Sequence, residues 1–376
     1  MKFTFKPAPN YRSEQSTSQI MFDLTMCLCA VLLFATVWYG VSYGFAYGLR
    51  VVLMALSAVV AAEVTEVIWF TATKKSWKEI FHSYGWVTAL ILVLITRLNV
   101  SYFAIIVSTV VAIVFGKLVF GGFGQNIFNP AAFGEALIMN SFSASTAADI
   151  VTGATPVTDM AAQGWLLSSS AFSGFLTPFG GFLQMFLGNY NSVIGGSCAL
   201  LLILCFAYLV WRGDIDWHVS VTYVVTVFVI SLIVGLVKGA GIEFALFNVL
   251  AGGVLFGAVF MITDPVTTPV TIPGRVVFAV ATAALTLVLR WKANLPDGVL
   301  FSILIMNMLS PAIDRAFRGN QIKDASKFLK RVVIISVLCV AVAIGVGMTL
   351  SHTDESAATT NEVVTVVNSD YDVTVM

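Results

Sequence analysis

The stretch "DIVTGAT" (149–155) sets an acid, two hydroxyls and a Gly-Ala pair at fixed spacing within an otherwise apolar chain. It fits Asp-x-x-(Ser/Thr)-Gly-Ala-Thr, the pattern in which bacterial flavin transferases esterify the last Thr hydroxyl with the phosphate of FMN. On this reading Thr155 is the covalent attachment point. Asp149, Thr152, Gly153 and Ala154 shape the loop for the transferase, the small Gly-Ala pair letting another active site approach the hydroxyl. The plainer alternative is a polar turn that ends in a helix start at Thr155-Pro156.

Two further stretches carry polar groups at membrane depth. In "GGFGQNIFNPAAFGEA" (121–136) the glycines supply turn freedom and Pro130 suits a first helical turn. Asn126 and Asn129 offer both donors and acceptors, which suits the uracil-like edge of a second, non-covalent flavin. In "MITDPVTTP" (261–269) Pro265 and Pro269 interrupt the backbone, and Asp264 stands where segment meets loop. Asp264 reads either as a turn-plus-cap or as a residue of a cofactor or ion site. No Lys-Ser/Thr follows the glycines and no strand precedes them, so they form neither a Walker nor a Rossmann loop.

Carboxylates inside membrane segments are costly and functional by default. Asp23, Glu63, Glu66, Glu135, Asp264 and Asp314 all fall in or beside apolar runs. Glu63 and Glu66 share a helical face. Glu135 sits deepest and is the first candidate for an ion pathway, with Asp23 second; carboxylate oxygens suit Na+ and protons equally. The five cysteines lie in hydrophobic runs without cluster or zinc spacing and read as small apolar packers, with Cys27-x-Cys29 the one pair worth testing for redox chemistry.

The elements that must position these residues are membrane helices. Apolar residues make up 58% of 376 and charged ones 11%, where a soluble domain carries about twice that charge. Apolar segments fall near 20–42, 45–72, 85–97, 100–119, 129–142, 193–211, 218–237, 244–262, 275–290, 297–314 and 332–350. The third and fifth are short, and broken helices at that depth must be buried or line a cavity. The first run has no cleavage pattern after it and is expected to remain as a helix.

With the N-terminus in the cytoplasm, fifteen Lys and Arg fall inside, Lys117 and Arg212 among them. Five fall outside: Arg50, Arg97, Lys238, Arg290 and Lys292. The positive-inside rule therefore predicts an N-in topology. Loop 143–192, with Thr155, then faces outward and exposed, as does the tail 351–376. Zero net charge implies no attraction to nucleic acid.

"FNPAAFGEA" (128–136) and "LSPAIDRAF" (309–317) share a polar-Pro-Ala-acid pattern five segments apart, as inverted repeats would. The expected fold is an all-α polytopic membrane protein. It has about ten core transmembrane helices as two inverted five-helix repeats with broken or half helices, a urea-channel-like layout, plus an extra C-terminal helix. The expected divisions are a cytoplasmic N-terminus (1–19), a first repeat (20–142), the acceptor loop (143–192) and a second repeat (193–317). A basic cytoplasmic loop (318–331), an added helix (332–350) and an outward tail (351–376) follow. The basic loop suits lipid headgroups, with docking of an acidic partner as the alternative.

Taken in order, the Thr acceptor, "GGFGQNIFNPAAFGEAL" (121–137), "MITDPVTTP" (261–269), "LPDGVLFSILIMNMLSPAIDR" (295–315) and the opening "APNYRSEQSTSQIMFDL" (8–24) resemble the D subunit of the Rnf complex. The resemblance covers residues 8–320. It implies an electron carrier with FMN on Thr155, and riboflavin as a second flavin as in the sister family. It further implies an assembly that couples ferredoxin:NAD+ oxidoreduction to Na+ or H+ translocation in the bacterial cytoplasmic membrane. Expected partners are a flavoprotein subunit with its own FMN, NAD-binding and iron–sulfur subunits, a flavin transferase during maturation, and membrane lipid. Alone, the chain is expected to be inactive. The sister family is the B subunit of the Na+-translocating NADH:quinone reductase, usually longer at its N-terminus. A channel sharing the repeat layout is the rival of another class; such a channel has no use for a transferase acceptor.

Overall fold

A computed structural model describes residues 16–74, 77–142, 155–293, 298–319 and 323–350. All regular structure among them is helical. Ser16 caps α1 (Thr17–Ser42) by accepting from Gln19 N, and Gly44 lets the chain reverse into α2 (Phe45–Ala72). Next come the short α3 (Gly85–Ile95) and then α4 (Tyr102–Ile113), which Ser101 caps. α4 loosens into a π-helical turn at Val114–Leu118, and a non-helical break separates that turn from α5 (Pro130–Ser141).

Three short helices follow: α6 (Pro156–Ala162), α7 (Ser169–Leu176) and α8 (Gly181–Leu187). The second set of membrane segments opens with α9 (Ala199–Arg212), α10 (Trp217–Lys238) and α11 (Gly241–Leu250). A single turn, α12 (Val254–Phe256), runs into another π-helical turn at Gly257–Met261. After a second break come α13 (Ile272–Lys292), α14 (Val299–Ala316) and α15 (Ala325–Met348).

Among the described residues six helices are long and apolar enough to cross a membrane, seven if the pair bent by 56° at residues 251–253 counts as one span. The short third and fifth segments are present as α3 and α5, and the segment expected as continuous over 244–262 is broken between α11 and α12. The apolar sheath faces outward: Leu33, Val37 and Val41 on α1 and Ile334, Val337 and Leu338 on α15 are exposed, whereas Asp23 and Glu66 point inward. This reverses a water-soluble fold, because hydrocarbon solvates apolar side chains and leaves polar ones to find partners inside.

Helices α1–α4 pack consecutively around α2, while α13 packs against α10, α14 and α15. Contacts of α5 with α14 and of α1 with α9 join the two groups. The two Pro-Ala motifs do not mark equivalent points of a repeat: Pro130 opens α5, whereas Pro311 lies inside α14. The matching features are instead the two π-helical turns, each followed by a break. π-Turns recur at functional sites because an extra residue skews the hydrogen-bond ladder.

The end of the bundle where α1 finishes is covered by α6–α8 and the chain up to α9. Trp38 Nε1 donates to Asn189 Oδ1 at 3.2 Å, and Ser169 N donates to Gly239 O at 3.3 Å. At this end basic side chains serve as helix caps. Arg290, fully buried, donates to Asn248 O at 2.8 Å and Ala251 O at 3.3 Å, closing α11. Lys238 donates to Leu350 O at 2.9 Å and Lys292 to Thr349 O at 3.4 Å, closing α15.

Candidate functional site

The two breaks meet. Asn129 caps α5, its Oδ1 accepting from Ala131 N and Ala132 N, and its Nδ2 reaches Met261 O, at the end of the second π-turn, over 3.3 Å. Gly121, Gly122 and Gly124 hold φ of +125°, +107° and +82°, conformations that side chains resist, so this stretch of backbone depends on them. Asp264 makes a turn of its own: Oδ1 accepts from Val266 N at 3.1 Å and Oδ2 from Thr267 Oγ1 at 3.3 Å.

α14 braces both breaks. Ser310 Oγ donates to Thr267 O at 2.6 Å. Asn307 Oδ1 accepts from Asn129 N at 3.0 Å when its amide is oriented to donate to Ile303 O. Asp314 Oδ1 accepts from Val270 N at 2.9 Å.

Between the breaks lies a partly open cavity. Asn126, Asn129 and Asp264, expected from sequence as one candidate set, all line it. Most of the wall is apolar, with Met21, Leu24, Val87, Ile91, Phe123 and Phe260. An apolar slot with a few converging polar groups is the usual form of a small-molecule site. Asn126 Nδ2 donates to Phe128 O at 3.0 Å, and Asn129 spends its amide on capping and on Met261. The turn role weighed for Asp264 is therefore real, and Asn126 and Asn129 hold the break and the start of α5, alongside any ligand role.

Sequence reasoning misses Lys117 as part of this wall. By sequence it reads as an inward surface charge, but it is 2% exposed and lines the cavity from the first π-turn. Its Nζ lies 2.8 Å from Glu66 Oε1, donates to Ser83 O, and stands 5.9 Å from the Phe123 ring centre. Ser83 Oγ also donates to Glu66 Oε1, at 2.8 Å, and Glu66 is fully buried. The acid pair Glu63 and Glu66 is visible in the sequence as a shared helical face. Its counter-charge, 51 residues from Glu66, carries no local signal.

Glu135 is buried in α5, where Thr96 Oγ1 stands 2.6 Å from its Oε2. Asp23 is bound at the other end of α1 by Arg212 Nε at 2.9 Å and Tyr208 OH at 3.2 Å, partners that account for its burial. By sequence Arg212 reads only as one more inward charge. Cys27 is buried and Cys29 exposed, as residues two apart on a helix must diverge, and all five cysteines are free. Among the described residues no His, Cys, Asp and Glu cluster could hold a metal ion.

Thr155 differs from expectation. It is 6% exposed instead of open, because it is the N-cap of α6. Its Oγ1 lies 2.6 Å from Thr158 Oγ1 and accepts from Thr158 N at 3.4 Å, while Thr155 N donates to Thr158 Oγ1 at 2.9 Å. This is the reciprocal capping box, and the helix start at Thr155-Pro156 is as the plainer reading has it. Asp149, Thr152, Gly153 and Ala154 lie outside the described residues.

Comparison with known proteins adds what geometry alone does not. The model of the NQR2, RnfD, RnfE family matches residues 4–323. The D subunit of the proton-translocating ferredoxin:NAD(+) oxidoreductase complex of Clostridium ljungdahlii is 33% identical, the match covering 83% of this chain and 94% of that one. The D subunit of the Na(+)-translocating complex of Acetobacterium woodii is 29% identical over 88% and 98% of the two chains. The D subunit of an ion-translocating oxidoreductase complex from Ectopseudomonas mendocina is 27% identical over 82% and 92%.

Proposed function

Because this chain belongs to the NQR2, RnfD, RnfE family, we propose that it is the D-type subunit of an ion-translocating ferredoxin:NAD+ oxidoreductase, carrying electrons within a multi-subunit membrane complex. The relatives named for proton and for Na+ translocation support coupling to one of these ions. The observation that carries the electron-carrier reading is the separation of two candidate cofactor positions. Thr155 opens the segment that covers one end of the bundle, and the cavity between the breaks is walled at the other end by Met21 and Asp214.

At the first position Thr155 would hold FMN through a phosphoester. Its fit is conditional on local opening. The ester oxygen can still accept from Thr158, but a buried Thr155 gives a transferase no access until the capping turn opens. Asp149, Thr152, Gly153 and Ala154 would serve that recognition.

At the second position an apolar slot with Asn126, Asp264 and Lys117 along its polar side supports the reading of a site for a flavin ring such as riboflavin. A flavin supplies one-electron chemistry where it is bound. Here the chain orients its edge, excludes water with Phe123 and Phe260, and holds the two breaks in register through Asn129. Glu135 and Asp23 remain the proposed ion-pathway residues. The N-terminus is assigned to the cytoplasm of a bacterial cell by the distribution of Lys and Arg.

The test is co-expression with a flavin transferase, followed by fluorescence of the denatured chain and mass analysis of the peptide containing Thr155. An FMN-sized adduct that disappears in Thr155→Ala supports the reading. A dark wild-type chain, or an adduct that survives the substitution, overturns the attachment site.

A further inference from the structure

The wall of the cavity contains a charge that nothing in its fold requires. A lysine at this depth is costly to bury, and a paired lysine is often no more stabilising than an apolar residue of similar volume. Lys117 nevertheless sits on a π-turn, 2% exposed, with Glu66 and Ser83 holding its ammonium in place. These two contacts use two of the three ammonium donors. The arrangement is also directional, since Lys117 lines the cavity and Glu66 does not. A molecule in the cavity therefore meets the positive end of the ion pair. Room for the pair is reserved by Gly85, where a Cβ would come within 2.8 Å of the Glu66 carboxyl carbon.

We propose that Lys117, backed by Glu66, sets the reduction potential of the ring held in this cavity by favouring the state that carries extra negative charge. The proposal rests on the reading that a second flavin binds here. One electron entering a neutral ring adds one unit of negative charge. A fixed ammonium in a low-dielectric wall compensates that charge without requiring a proton to enter. Asn126 and Asp264 cannot do this: an amide is neutral, and a carboxylate opposes it. Lys117 acts here as a positioning and tuning group.

The experiment uses the purified complex and its acid-extractable flavin. Lys117→Met alone would strand the Glu66 charge, so the informative variant is Lys117→Met with Glu66→Gln, which removes both charges together. Lys117→Arg keeps the charge. The midpoint potential of the non-covalent flavin is read by spectroelectrochemical titration at equal flavin content.

We expect the double variant to disfavour the reduced form about tenfold or more, about 59 mV for a one-electron couple and about 30 mV for two electrons. Lys117→Arg should stay near wild type. Loss of the flavin from the double variant with retention in Lys117→Arg also supports the charge contact. An unchanged potential in the double variant overturns the tuning role, and so does loss of the flavin from both variants. Absence of extractable flavin from the wild-type complex instead overturns the second-cofactor reading on which the proposal stands.

Discussion

Thr96 Oγ1 lies between two acceptors, 2.6 Å from Glu135 Oε2 and 2.7 Å from Leu92 O. The hydroxyl has one proton. If it goes to Leu92, Glu135 must bring a proton of its own, so the triad links the charge of Glu135 to the orientation of one hydroxyl. Thr96→Val should remove both bonds and lower stability by about 1–3 kcal/mol, the cost of leaving a buried polar group unsatisfied. Glu135→Gln keeps a partner for the hydroxyl and should cost less. Thermal denaturation of the detergent-solubilised protein ranks them, and equal losses would show that the contact contributes nothing.

Gly85→Ala is expected to disturb the charged wall of the cavity without touching it directly. The new methyl carbon would fall 2.8 Å from the Glu66 carboxyl carbon, too close for either to stay. Overpacking of this kind costs about 1–3 kcal/mol. The same thermal assay reads it, and a melting temperature equal to wild type would mean that α2 and α3 separate freely at this point.

Thr158→Ala removes the hydroxyl that ties Thr155 into the capping box while leaving the attachment oxygen in place. Helix α6 should loosen by about 1 kcal/mol, as for other lost caps. Transfer of FMN in vitro should become faster, because the acceptor is freed more often. Slower labelling would mean that the capped turn is itself what the transferase recognises.

Outside the membrane segments, Asp216 caps α10 and joins it to α13. Its Oδ2 lies 2.5 Å from Arg275 Nη1, and His218 N donates to Oδ1 at 3.0 Å. Burial pushes its pKa up, but the contacts with His218 and Arg275 outweigh burial and hold it below the ordinary 3.8. A carboxylate with a depressed folded-state pKa stabilises above the unfolded value, and that contribution is lost as pH falls through the folded one. Stability should therefore decline below about pH 4, and Asp216→Asn should flatten that part of the acid limb. An identical acid profile in the variant would assign the decline to other carboxylates.

The spans are legible in the sequence because hydrocarbon demands a long unbroken apolar run, and α1, α2, α10, α13 and α15 supply one. The breaks are legible too: Gly121, Gly122 and Pro130 on one side, Pro265 and Pro269 on the other, are residues whose backbone preferences act locally. Partners distant in sequence are hidden. Lys117 reads as one more inward charge until Glu66 is placed beside it, and Arg212 does so until Asp23 is. Asn307 and Ser310 look like ordinary polar residues of a membrane helix, yet they brace the breaks from α14. Thr155 shows the opposite failure. Its motif suggests an open loop, while the capping signal Thr-Pro at the same position already describes what the chain does locally.

The lysines that close α15 also bear on how the protein is made. A chain enters the membrane N-terminus first, so α10 and α13 are in place before α15 has been synthesised. Lys238 and Lys292 gain the carbonyls of Leu350 and Thr349 only when the last turn of that helix arrives. Helix α15 is therefore a latch fastened only after α10 and α13 are in place. A nascent chain stalled before residue 325 would hold its other helices while these two acceptors are still missing.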